Sequence, residues 1–198
     1  WNKVSDEKTD FKINSYVPYL FNSKFSTTLE FNLYRQDSTF INTNFKFNTD
    51  YSINQRSHAS VLYRSENSNY LLNTLNNEIT SYSNYFIGLG YQMKKLSTSK
   101  LYDFNKGIKL NLIVGKRKTS LESINQLKLH FSAFANLQIN DKGYLAIKNE
   151  SGLLSSKNYL LNELFRIGGA NSIRGYNEQS IFTNGYSYSN IEFRYLLD

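Results

Sequence analysis

Residues 41–54 read Ile41-Asn42-Thr43-Asn44-Phe45-Lys46-Phe47-Asn48-Thr49-Asp50-Tyr51-Ser52-Ile53-Asn54. Every even position is polar, and the odd positions are apolar, aromatic or Thr. Period two is the spacing at which side chains alternate on a β-strand, whereas a helix would bring apolar residues together three and four apart. The stretch predicts one long strand with an apolar face built on Ile41, Phe45, Phe47, Tyr51 and Ile53.

The same alternation recurs on either side. Before it, Phe25, Thr27, Leu29, Phe31 and Leu33 share a face in 25–34. After it come 57–65, 84–93, 106–115, 126–140, 143–154 and 186–197. In 126–140, Leu127, Leu129, Phe131, Ala133 and Ala135 oppose Lys128, His130, Ser132 and Asn136. This predicts about eight antiparallel strands, joined by tight turns at Gln36-Asp37-Ser38, Asn54–Ser57 and Asn140–Gly143, with longer loops at 66–83 and 156–184. Soluble strands usually run about five to six residues, and strands tilted across a bilayer need about nine to eleven. Strand length favours a segment of a transmembrane β-barrel, with 1–198 as part of a single domain. The sheet is expected to be curved but unclosed, with 25–34 and 186–197 at its edges.

Composition agrees. Aromatics are 16% of the chain, yet mean hydropathy is −0.51, as two-faced strands require. No apolar run reaches the roughly 18–20 residues of a membrane-spanning helix. The net charge of +7 comes from Lys and Arg scattered through polar positions, and aromatic and basic residues occupy opposite faces. A stacking platform for nucleic acid would put both on one face, so no nucleic-acid partner is expected. Absence of Cys leaves the compartment open.

The 156–184 loop contains Gly168-Gly169-Ala170-Asn171-Ser172-Ile173-Arg174-Gly175-Tyr176, and the strand after it carries Glu192 in Asn190-Ile191-Glu192-Phe193-Arg194. A lone Arg-Gly-Tyr means nothing. A Gly-Gly pair five residues ahead of the Arg, in a long loop whose next strand has a Glu on its polar face, is far more specific. This conjunction resembles the BamA/TamA superfamily of outer-membrane assembly and translocation proteins, in the Asn-, Lys- and Tyr-rich style of Bacteroidetes members. The resemblance implies a sixteen-stranded barrel whose sixth extracellular loop folds into the lumen, its Arg meeting acidic wall residues. Gly168, Gly169, Ile173, Arg174, Gly175 and Tyr176 would form the loop motif, with Glu192 as lumen partner. Glu163 and Glu178 are loop carboxylates that compete for Arg174.

It further implies an outer-membrane location in a Gram-negative cell. The partners would be outer-membrane lipids, client outer-membrane or secreted proteins, and periplasmic or lipoprotein accessory subunits. By strand count the chain would span the fifth to twelfth strands, leaving the lateral seam and the periplasmic repeats outside it. Within the superfamily, a two-partner secretion translocator and a barrel fused to a patatin-like lipase are the alternatives. A soluble β-rich surface adhesin is the alternative from another class. No catalytic residues and no cofactor are expected. His58 and His130 lack the neighbouring ligands of a metal site and read as wall residues.

Overall fold

The computed structural model describes residues 2–5, 8–36, 39–70 and 80–197. Ten strands form one antiparallel sheet, in the order β1 (Asn2–Ser5), β2 (Lys8–Val17), β3 (Phe25–Gln36), β4 (Phe40–Asn54), β5 (Ser57–Tyr70), β6 (Tyr82–Leu96), β7 (Phe104–Lys118), β8 (Ser123–Gln138), β9 (Gly143–Ser156) and β12 (Gly185–Tyr195). Between β9 and β12, a separate ribbon pairs β10 (Phe165–Ile167) with β11 (Ile181–Thr183). The fold is all-β and antiparallel. β1 and β12 end the strand order without pairing to each other, so the sheet is unclosed.

Two expectations are corrected. The main sheet has ten strands rather than about eight, and the strand at 25–34 is interior, because β2 pairs along its whole length. β2 was hard to read, since Ser15 interrupts its apolar row of Phe11, Ile13 and Val17, and Pro18 ends it. The long connections 70–82 and 156–185 leave from the same end of the sheet, but the 118–123 turn at that end is short. The expected loop at 66–83 is shorter than its bounds, because 66–70 continue β5 and 82–83 begin β6; residues 71–79, and the turn residues Asp37 and Ser38, lie outside the described residues.

Register fixes the two faces. The line Lys46↔Arg64↔Phe86↔Gly115↔Gln126 runs across five strands with its side chains on one face. That face is concave. Lys128 Nζ on β8 donates to Glu66 Oε2 on β5 at 2.5 Å, although their Cα atoms are three strand spacings apart across the sheet and four residues apart along it, about 20 Å on a flat sheet. Glycines permit the bend. A Cβ on Gly115 would lie 2.0 Å from Tyr85 O, and one on Gly88 2.0 Å from Leu112 O. In the space they free, Leu62, Phe86 and Ile113 form one buried cluster on the concave wall, and Tyr34 and Phe40 form another.

The opposite face is apolar and open. Leu89 is 68% exposed, Ile87 61% and Val61 54%. Leu127, Leu129, Phe131 and Ala133 pair with Val114, Leu112, Leu110 and Ile108 on this face and are partly exposed, while Lys128, His130 and Asn136 point to the concave side. Ala135 continues the same row, also partly exposed. Among the described residues the only helical elements are two 3-10 turns, and none is long and apolar enough to cross a membrane.

Candidate functional site: a loop anchored twice on the concave wall

The ribbon of β10 and β11 carries the glycine motif at its tip. Gly168 and Gly169 have φ of +114° and +100°, in the region L side chains avoid. A Cβ on Gly169 would also lie 2.1 Å from the Glu178 carboxyl carbon. The tip is folded on itself: Gly168 N–H donates to Ser172 Oγ at 2.8 Å, Gly169 N–H to Ile173 O at 3.1 Å, and Ala170 N–H to Glu178 Oε1 at 3.0 Å. Glu178 is therefore engaged within the tip.

From this tip Arg174 Nη2 donates to Glu192 Oε1. The other carboxylate oxygen, Oε2, accepts from Arg194 Nε at 3.0 Å and Nη2 at 2.9 Å, so Glu192 is clamped between two guanidiniums. Asn190 Nδ2 adds a bond to Ser172 O at 3.2 Å. Parity places Asn190, Glu192 and Arg194 on the concave face, and the tip covers a cavity of about 410 Å³ against β8, β9 and β12. The Arg174 and Glu192 side chains remain 68% and 24% exposed. Gly175 takes φ +91° with open space around it, and Tyr176 stays 58% exposed.

A second anchor lies at the base of the same loop, and local sequence reading had no access to it. After β9 the chain turns inward through the 3-10 turn Leu161–Glu163. Arg117 Nη1 donates to Glu163 Oε1, and Gln126 Nε2 to Glu163 Oε2 at 2.8 Å. Arg117 and Glu163 have fully buried side chains. Next to them, Asn162 O accepts from Asn42 Nδ2 at 2.8 Å and Tyr82 O–H at 3.2 Å, while Asn162 Nδ2 donates to Ser68 Oγ at 2.6 Å and Thr80 O at 2.9 Å. Arg166 then lies over the Tyr34 ring, 3.6 Å from its centroid. This strap ties together walls from β3 to β8. It also removes Glu163 from the candidates for Arg174.

The arrangement positions a loop. His130 lies 3.4 Å from Glu150, and His58 Nδ1 3.1 Å from Ser52 Oγ. Asp50 accepts from Ser60 rather than orienting His58, so among the described residues this Ser-His pair has no carboxylate as the third member of a nucleophilic relay. Among the described residues no three His, Asp or Glu side chains converge as metal ligands. Compared with known proteins, the chain matches no family model and no curated relative.

Proposed function

We propose that the chain is wall and internal loop of an outer-membrane barrel of the BamA/TamA type, which inserts or translocates other proteins. One observation carries the reading: the arginine of the glycine-flanked tetrad reaches the following strand's glutamate on the concave wall. A solvated loop arginine has no reason to seek that wall. An inward-folded loop does, because Glu192 there offers its guanidinium a charge-assisted bond.

The convex surface supports a membrane setting. From Leu127 to Leu137 the outward row of β8 covers eleven residues, about 33 Å along the strand and about 25 Å tall at the tilt usual for barrels. A water-exposed sheet with that surface would be an aggregation template, which weighs against a soluble adhesin. The ten strands, counted back from the one after the motif loop, correspond to the third to twelfth of a sixteen-stranded barrel. Lipids of the outer membrane and unfolded client proteins are then the partners, and the reading asks for neither cofactor nor catalytic residue.

The test is conditional depletion in the bacterium that carries the gene. Newly made outer-membrane barrels should lose heat-resistant, folded migration, and Arg174→Ala should reproduce part of that defect at normal protein level. Normal barrel assembly with loss of one secreted substrate would replace this reading with the two-partner translocator. Normal assembly and secretion together would overturn both.

A further inference from the structure

On β9 and β12 the convex apolar face carries a polar patch. On β9 the outward row reads Leu145, Ile147, Asn149, Ser151, Leu153, and on β12 it reads Phe193, Ile191, Ser189, Ser187. Asn149 lies opposite Ser189, and Ser151 opposite Ser187. Ser151 Oγ donates to Ser187 Oγ at 2.9 Å, and Asn149 Nδ2 to Ser189 Oγ and to Tyr188 O, both at 3.1 Å. This patch is within the apolar band and not above it. Leu153, 43% exposed, lies beyond it on the long-loop side, and Ile191 and Phe193, 68% and 58% exposed, lie before it. At the same register the next strand presents Phe131 and Ala133.

Polar groups facing hydrocarbon are costly, and in membrane proteins they concentrate where another protein replaces lipid. We infer that the convex surface of β9 and β12 docks a second copy of this protein within the membrane. The chemistry of the patch selects that occupant. It holds no charge, and each hydroxyl and the amide both donates and accepts. Such a surface is complementary to itself, as a two-fold contact between identical surfaces requires. An opposite number with charged groups would leave them buried and unpaired. The short side chains of Ala133, Ser151, Ser187 and Ser189 let two walls approach closely.

The inference rests on the membrane reading, and its test separates the two. The chain has no cysteine, so once any cysteine outside residues 1–198 is replaced by Ser, Asn149→Cys, Ser151→Cys, Ser187→Cys and Ser189→Cys each report on the patch in the full protein in its native membrane. Cysteines near a two-fold axis meet their own copies within the roughly 4.4–6.8 Å Cα separation of a disulfide. Mild oxidation should link at least one variant into a dimer, and should leave Leu89→Cys, on the same face three strand positions from β9, as monomer. Ser187→Leu with Ser189→Leu should lower the dimer share while heat-resistant migration stays unchanged. No dimer from any of the four, equal linking at Leu89→Cys, or linkage to a different protein would each overturn the second copy. A fluorophore on Leu89→Cys that brominated lipid tails fail to quench would instead overturn the membrane reading itself.

Discussion

One loop is held to the same wall by two ion pairs of very different character. At its base, Glu163 and Arg117 are fully buried, and Gln126 and the Leu160 N–H also bond to the Glu163 carboxylate. At its tip, Arg174 is 68% exposed, and Glu192 keeps Arg194 as a second partner. Removing one member of a buried pair strands an uncompensated charge in a poorly solvated place, at a cost of about 3–5 kcal/mol. An exposed pair gains little, because water competes for both partners. The difference divides the loop into a fixed strap and a releasable tip, joined at Gly168 and Gly169. It also separates two quantities usually measured together: stability belongs to the strap, and any regulated motion belongs to the tip.

The sharpest way to break this division is Arg117→Ala. It should destabilise the fold by about 3–5 kcal/mol, the largest effect of any single change at either anchor, read as a lower melting temperature. Replacing both members, with Arg117→Met and Glu163→Met, should recover a good part of that loss, since no charge is left stranded. If Arg117→Ala melts with the wild type, the strap is not the anchor.

Gly169→Ala tests the joint. Its φ of +100° and the Glu178 carboxylate 2.1 Å from the new Cβ require the tip to rearrange. A strained φ alone costs about 1–3 kcal/mol. Proteolysis within 170–180 should accelerate while the strands stay intact. Gly175→Ala, with φ +91° but open space, should cut less readily. Equal protection in both variants would mean that the Glu178 packing does not hold the tip.

How much of this was legible follows from where the information resides. Strand parity is local, so Phe45 against Lys46, or Leu129 against Lys128, announces its face within a few residues. Pairing of Arg174 with Glu192 follows from a motif and the parity of one adjoining strand. The strap has no such signal. Arg117 and Glu163 are 46 positions apart, and Arg117 lies in a Lys-Arg-Lys run at a strand end, where a basic residue reads as solvated. Only the curvature of β4 to β8 brings Asn42, Ser68, Tyr82 and Arg117 around one turn. The polar break at Asn149 and Ser187 escaped for a related reason, since each strand alone shows two polar residues and the register makes them a patch.

At the tip itself, Arg174→Ala should leave thermal stability essentially unchanged, because Glu192 keeps Arg194, and under the proposed function it should lower assembly activity. Exchanging the charges, with Arg174→Glu and Glu192→Arg, should restore part of that activity if contact is direct, although Arg194 would then face a like charge. Glu192→Gln should loosen the tip less than Arg174→Ala does, since the amide oxygen can still accept from Arg174.

The smallest expected effect is the most discriminating. Screening shortens the reach of exposed charges from about 10 Å at 0.1 M salt to about 3 Å at 1 M, and hardly touches a pair from which water and ions are excluded. Raising salt over that range should therefore speed proteolysis within 170–180 and leave the melting temperature of the strap variants and the wild type in their original order. Arg174→Ala should abolish the salt response, because the pair that salt weakens is already gone. A tip whose protection ignores salt in the wild type would place its hold in the hydrogen bonds of Gly168, Ser172 and Asn190 rather than in the arginine. The ion pair would then serve orientation alone. A strap that melts earlier in salt would mean that water reaches Arg117, and the two anchors would differ in degree rather than in kind.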